Sequence, residues 1–201
     1  MEGLRQAIRQ GEVAPGQRLV EADLVEQFGV TRGSVRAALD DLIGEGLIER
    51  IHNRGARVRT VTKQQAIEVL ECRRALEGLI AAKAAAHADE TDIARLRDYA
   101  DQLSAAVRDN EPLKYSTLNH ELHTVLAEIA EQRTAAELIG KLNIQVVRYQ
   151  FQLSLRPGRP QISLGEHLAI VEAVIAHDPV AAEQAMRDHL DSVIAALNEA
   201  D

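Results

Sequence analysis

Tryptophan is absent from this 201-residue chain, and three Tyr and two Phe are its whole aromatic complement. A core without large rings must be filled by Ala, Leu, Ile and Val. Long periodic stretches of these residues favour stacked helices over sheets. A single cysteine, Cys72, excludes an intrachain disulfide and fits a reducing compartment. No apolar run reaches the roughly 18 residues that would span a bilayer. The opening MEGLRQAIRQGE is charged and amphipathic and lacks the apolar centre of a signal peptide. A cytoplasmic protein without a membrane partner is expected.

Net positive charge is lacking too: the formal sum is −8. Its distribution is uneven. Residues 1–60 carry nine Lys/Arg against nine Asp/Glu, whereas residues 61–201 carry 14 against 22. The acidity belongs to the second part. In the first, Arg32, Arg36, Arg50, Arg54, Arg57 and Arg59 fall within 28 residues. Such a local basic face matters more for phosphate contact than the total.

Three short helices and a hairpin are expected in the first 60 residues. Leu4 and Ile8 share a face of a helix ending near Gly11, and Pro15-Gly16 marks a turn. A second helix spans about Glu21 to Phe28, offers Leu24, Val25 and Phe28 to a core, and stops at Gly29. Thr31 caps a third helix, with Val35, Leu39, Leu42 and Ile43 on one face. Leu47–Arg50 and Ala56–Arg59 read as strands around Asn53-Arg54-Gly55. Two helices around a glycine, then a basic hairpin, suggest a winged helix-turn-helix. The third helix would enter the major groove with Thr31, Arg32, Ser34 and Arg36, and the tip Asn53, Arg54 and Gly55 would reach the backbone or minor groove.

From Thr62 the chain reads as six helices, at about 63–87, 91–109, 112–130, 134–155, 164–177 and 179–199. Thr62-x-x-Gln65 and Ser163-x-x-Glu166 fit a capping box, and Asp178-Pro179 fits a cap followed by proline at the first helical position. The expected architecture is mainly α: a reading head over residues 1–61 and an antiparallel all-helical bundle over 62–201.

Asn119 and His123 lie four apart on one helix face. His167 and His189 fall on two later helices. If these helices pack around one axis, three imidazoles and an amide oxygen converge, a donor set suited to Zn, Ni, Cu or Fe. Taken singly, each histidine reads as a surface or satisfied core residue. Arg73 and Arg148 lie within apolar helical stretches. Each can snorkel outward or bind a carboxylate bidentately, and an ordinary surface pair of Arg73 with Glu77 is the plainer reading.

These residues carry a resemblance. The stretch from Leu4 to Val58 resembles the GntR-family winged helix-turn-helix at Gly11, Pro15-Gly16, Leu19, Glu21, Leu24, Gly29-Val30-Thr31-Arg32, Val35-Arg36, Ala38-Leu39, Leu42, Glu45-Gly46-Leu47-Ile48 and Asn53-Arg54-Gly55. The remainder resembles the FCD ligand-binding domain of the FadR-like branch, through ECRRALEGLIAAKAA, NHELH and EHLAIVEAVIAHDPVAAEQAMRDHL. Six helices point to the VanR-like subgroup.

The resemblance implies a metal site of Asn119, His123, His167 and His189, holding a divalent transition metal, Zn or Ni first. It implies operator contacts by Arg32 and Arg36, assisted by the wing. An arginine that some relatives carry at Ala22 is absent, and the family's first helix usually has more residues before it than Met1–Leu4 supplies. A homodimeric repressor of double-stranded operator DNA is implied, controlled by a small organic acid near the metal, with Arg73 or Arg148 on its carboxylate. Two other readings stand beside it: a metal-dependent hydrolase using the histidines, and a dimeric scaffold in which they are structural. No catalytic residue is assigned.

Overall fold

The computed structural model describes residues 2–10, 13–51 and 55–199. Two compact units emerge: Met1–Ala66 with Lys141–Arg148, and Ile67–Gly140 with Tyr149–Asp201.

The first unit holds α1 (Glu2–Gln10), β1 (Arg18–Leu19), α2 (Glu21–Phe28), α3 (Arg32–Gly44), β2 (Ile48–Ile51) and β3 (Gly55–Val58). α2 ends because Gly29 takes the left-handed conformation (φ 62°) and its N–H returns to Val25 O, a geometry that costs glycine little. α3 starts at Thr31, whose side chain accepts from the Ser34 N–H. Leu24, Val35, Leu39 and Leu42 bury their faces with Leu4 and Ile8 of α1. Phe28, expected in this core, is instead 37% exposed, the last residue before the chain turns away. The hairpin pairs Ile48 with Val58 and Ile51 with Gly55. β1, which sequence reading missed, adds to its other edge with Leu19 opposite Ala56. Two residues carry too little periodicity to announce a strand. Ile144 packs against this core, and Gln145 accepts from Arg59 Nη1 at 3.2 Å.

The second unit is built from α4 (Lys63–His87), α5 (Glu90–Arg108), α6 (Pro112–Ile129), α7 (Arg133–Ser154), α8 (Arg159–Ile175) and α9 (Pro179–Asn198), apart from the pieces of α4 and α7 assigned to the first. Caps explain several starts. Thr62 and Gln65 exchange side-chain-to-backbone hydrogen bonds of 3.0 and 3.2 Å, and Asp178 accepts from Val180 N and Ala181 N ahead of α9. α8 starts earlier than expected. Gly158 is its cap and Pro160 sits in its first turn, where proline's missing N–H costs nothing. Ser163 and Glu166 therefore lie inside the helix and form no capping box. Leu96, Leu103, Leu122, Leu126, Ile170 and Leu190 are almost wholly buried. Among the described residues, no helix is long and apolar enough to cross a membrane.

Candidate metal centre and DNA-reading face

Three of the four expected ligands meet in the second unit. His123 of α6, His167 of α8 and His189 of α9 each offer a ring nitrogen, and these atoms all lie within 4.8 Å of one another. His167 is completely buried and His189 nearly so. Nε2 of His123 and Nε2 of His167 are 3.2 Å apart, and the His167 and His189 ring centroids are 4.3 Å apart. The fourth expected ligand, Asn119, lies one helical turn before His123, and its Oδ1 is buried without a hydrogen-bond partner. Leaving a buried acceptor unpaired is costly. Together with three imidazoles, whose nitrogen donors suit Zn, Cu, Fe or Ni, an unpartnered amide oxygen on the same helix as His123 is a donor set that fits a divalent cation.

The opposite ring nitrogens are held from outside. His189 Nδ1 donates to Glu166 Oε2 at 2.7 Å. Arg159 grips the same carboxylate through Nη2 at 3.1 Å and also donates to Ser192 Oγ at 2.8 Å. His123 Nδ1 lies 2.7 Å from Glu77 Oε2, and Arg73 Nε donates to Glu77 Oε1 at 2.6 Å. His167 Nδ1 faces Tyr115 Oη at 3.1 Å and Ser163 Oγ at 3.3 Å. Such outer partners orient metal-ligating imidazoles and set their tautomers.

Electrostatics follow the geometry. Burial pushes the Glu77 carboxyl up, but Arg73 and His123 beside it outweigh burial and hold it far below the usual carboxylate range. Burial, then the neighbouring imidazoles, push His167 well below the ordinary histidine range. Burial pushes His189 down, partly countered by Glu166. Burial also lifts the Tyr115 hydroxyl to about 12, so it stays protonated.

Arg73 and Glu77 do pair, but not on the surface: they are 4% and 3% exposed. Arg73 Nη1 is buried without a hydrogen-bond partner, so donor capacity remains for an anion. The side chain of Arg148 lies outside the described residues. Sequence reasoning missed Tyr115, Ser163, Arg159 and the outer roles of Glu77 and Glu166. Tyr115 carried a usable signal, because Tyr115, Asn119 and His123 repeat at four-residue spacing on α6.

In the first unit, Thr31, Arg32, Ser34 and Arg36 are exposed at the start of α3. Arg36 Nε pairs with Glu21 at 2.9 Å, and Arg50 pairs with Asp40. Gly55 opens β3 with φ 86°, and a Cβ there would meet Leu19 O at 3.4 Å. Asn53 and Arg54 lie outside the described residues.

Comparison with known proteins matches two families along the chain. Residues 1–58 match the bacterial regulatory proteins of the gntR family, and residues 68–192 match the FCD domain. The HTH-type transcriptional repressor RspR of Escherichia coli strain K12 is 29% identical, over 94% of this chain and 83% of its own length. The HTH-type transcriptional repressor NanR of Cronobacter sakazakii is 30% identical, over 96% and 82%. Among solved structures, E. coli McbR/YncC shares the fold with a TM-score of 0.82 at 21% identity, covering 98% of this chain and 94% of its own. A GntR regulator from Rhodococcus sp. RHA1 gives 0.77 at 25% identity, covering 100% and 96%. These relatives are regulators rather than enzymes, and with Glu77 and Glu166 already engaged by imidazoles and arginines, the hydrolase reading falls away. The chain belongs to the gntR family of bacterial regulatory proteins, as a DNA-binding transcription regulator with an FCD domain behind its winged helix-turn-helix.

Proposed function

We propose that this regulator is a cytoplasmic, homodimeric repressor whose hold on operator DNA is altered by a small carboxylate bound beside a divalent metal. The observation that carries this reading is the convergence of His123, His167 and His189, with the unpartnered Asn119 oxygen one helical turn before His123, in a chain whose other unit is a DNA reader. The division of labour falls near residues 61 and 62. The donor set favours Zn or Ni. A cation held there supplies a Lewis-acidic anchor for an anionic oxygen. The free Nη1 of Arg73 supports a role in pairing with a sugar acid, hydroxy acid or related catabolite; Arg148 is the second candidate. Six helices in the FCD part agree with the VanR-like subgroup, and the names of RspR and NanR favour repression.

On the DNA side, Thr31 and Ser34 set the start of α3, Arg32 and Arg36 meet bases and phosphates, and Asn53, Arg54 and Gly55 form the wing contact. Two heads of a dimer read a pseudo-palindrome. Control requires only that the acid bind the DNA-competent and incompetent states unequally.

Fluorescence anisotropy on DNA from upstream of the chain's own gene tests this, with metal-loaded and chelated protein against a panel of organic acids. Specific, salt-sensitive binding that one acid weakens only in the loaded protein is expected. Binding that never exceeds random DNA would overturn autoregulation, and acids without effect on specific binding would overturn effector control.

A further inference from the structure

Arg32, Arg36 and Asp40 follow one another at four-residue spacing on α3, so they share one face of the helix. All three are exposed, and so are Gly33 and Ala37 between them, which leave that face low. Space beside Gly33 is open: the nearest side-chain atom to a Cβ there is Thr31 Oγ1 at 3.8 Å. Arg36 and Asp40 do not pair with each other. Arg36 Nε turns to Glu21 of α2, and Asp40 Oδ1 accepts from Arg50 Nη2 of β2. Charge therefore alternates across the face as Glu21, Arg36, Asp40 and Arg50, where phosphates alone would favour cations. Asp40 Oδ2 has no partner among the described residues, and 56% of the side chain is accessible.

A carboxylate on a helix face that meets DNA has few uses. Phosphate oxygens repel it, and the N7, O6 and O4 atoms of the base edges offer it no donor. The major groove's donors are amino groups. Adenine sets the N7 acceptor beside its amino group, whereas cytosine presents N4–H alone, the usual partner of a carboxylate. From Arg32 to Asp40 the helix rises about 12 Å. That is roughly three to four base pairs at about 3.4 Å each, a span that one recognition helix can read.

We propose that Asp40 is a specificity-determining residue: its Oδ2 accepts from cytosine N4–H in the major groove, and Arg50 is the positioning residue that holds Oδ1. The proposal rests on the reading of α3 as the helix that meets DNA. It also gives Arg50 a task other than phosphate contact. The carboxylate lowers attraction to every phosphate, and this is offset only where a cytosine lies opposite. Asp40 thereby widens the gap between operator and random DNA through a repulsive element as well as an attractive one. An exposed pair adds little to the fold, so its effect is read in selectivity rather than stability.

The test lets the full chain and its variants select duplexes from a randomised library, with anisotropy on the parent's selected duplex and on a random duplex. The parent selects C·G at one pair of each half-site, and exchanging that pair weakens its binding by roughly 5–100-fold. D40A loses this preference and keeps the others, while its affinity for the random duplex rises about 2–10-fold. D40N moves the preference toward adenine, which an amide meets at N6 and N7 together. D41A removes an equal charge about 100° around the helix and keeps the parent's preferences. An unchanged preference in D40A overturns the proposal, as does an even loss of selectivity at every position or the same effect in D41A. R36A that binds the selected duplex like the parent, or a parent that selects no sequence, overturns the reading of α3 as well.

Discussion

Glu166 Oε2 lies 2.7 Å from His189 Nδ1, and Arg159 Nη2 binds the same oxygen at 3.1 Å. Burial pushes that carboxyl up, but His189, Ser192 and Arg159 together hold it below the usual range, so it stays an acceptor. E166A should cut Zn2+ or Ni2+ affinity by about 10–100-fold, read by competition with a chromophoric chelator. E166Q keeps an amide oxygen for the Nδ1–H and should recover much of the loss. Equal losses in both variants would mean that charge, not orientation, is what Glu166 supplies. No loss in either would remove its role.

Acid should weaken the second unit of metal-free protein. His167 and His189 are held below the ordinary histidine range in the fold, which centres near pH 6.5. Below about that pH the unfolded chain binds protons that the folded chain refuses, so stability falls as pH falls. Glu77 adds loss in the same direction at lower pH, once unfolded carboxylates take up protons. With no Trp, and with Tyr99, Tyr115 and Tyr149 all assigned to the second unit, tyrosine fluorescence reports that unit. Its urea midpoint should drop between pH 7.5 and 5.5, and H167L should flatten the drop. A midpoint indifferent to pH would contradict the burial of neutral imidazoles.

Local signals made the helices legible. Thr62 with Gln65 and Asp178 before Pro179 cap as their spacing implies. The start of α8 was misread because Arg156–Pro160 looks like one continuous loop, whereas Gly158 caps a helix that Pro160 can enter. The histidines were visible as candidates through their positions on separate helices. Their partners were not, because Tyr115 reaches His167 across 52 residues and Glu77 reaches His123 from another helix. Such pairs depend on how helices pack, which periodicity within one helix does not encode.

The Arg73–Glu77 pair should be expensive to break on one side. Both residues are buried, and removing one partner of a buried pair typically costs about 3–5 kcal/mol because the other charge is stranded. R73A should therefore lower the tyrosine-reported urea midpoint sharply. R73M/E77L, which removes both charges, should recover most of that loss while still lacking the organic-acid response. A destabilisation of R73A below about 1 kcal/mol, the scale of an exposed pair, would contradict this burial.

Arg36 presents the opposite case. Its pair with Glu21 is exposed, with 68% of the Arg36 side chain accessible, and exposed pairs are worth only about 0–1 kcal/mol. Glu21 therefore does little to stabilise the fold through Arg36, yet it holds a negative charge against a guanidinium that the proposed reading assigns to DNA. R36A should weaken operator binding and lower the salt-dependence slope by about 1, the signature of one lost phosphate contact. E21Q frees the same guanidinium without truncating the side chain, so DNA affinity should rise modestly at unchanged slope. Anisotropy titrations across a salt series separate these outcomes. If R36A weakened binding only on the specific operator and left the slope intact, Arg36 would be reading a base edge rather than a phosphate. If neither substitution changed binding, the start of α3 would not be the contact surface, and the reading of this face would have to be abandoned.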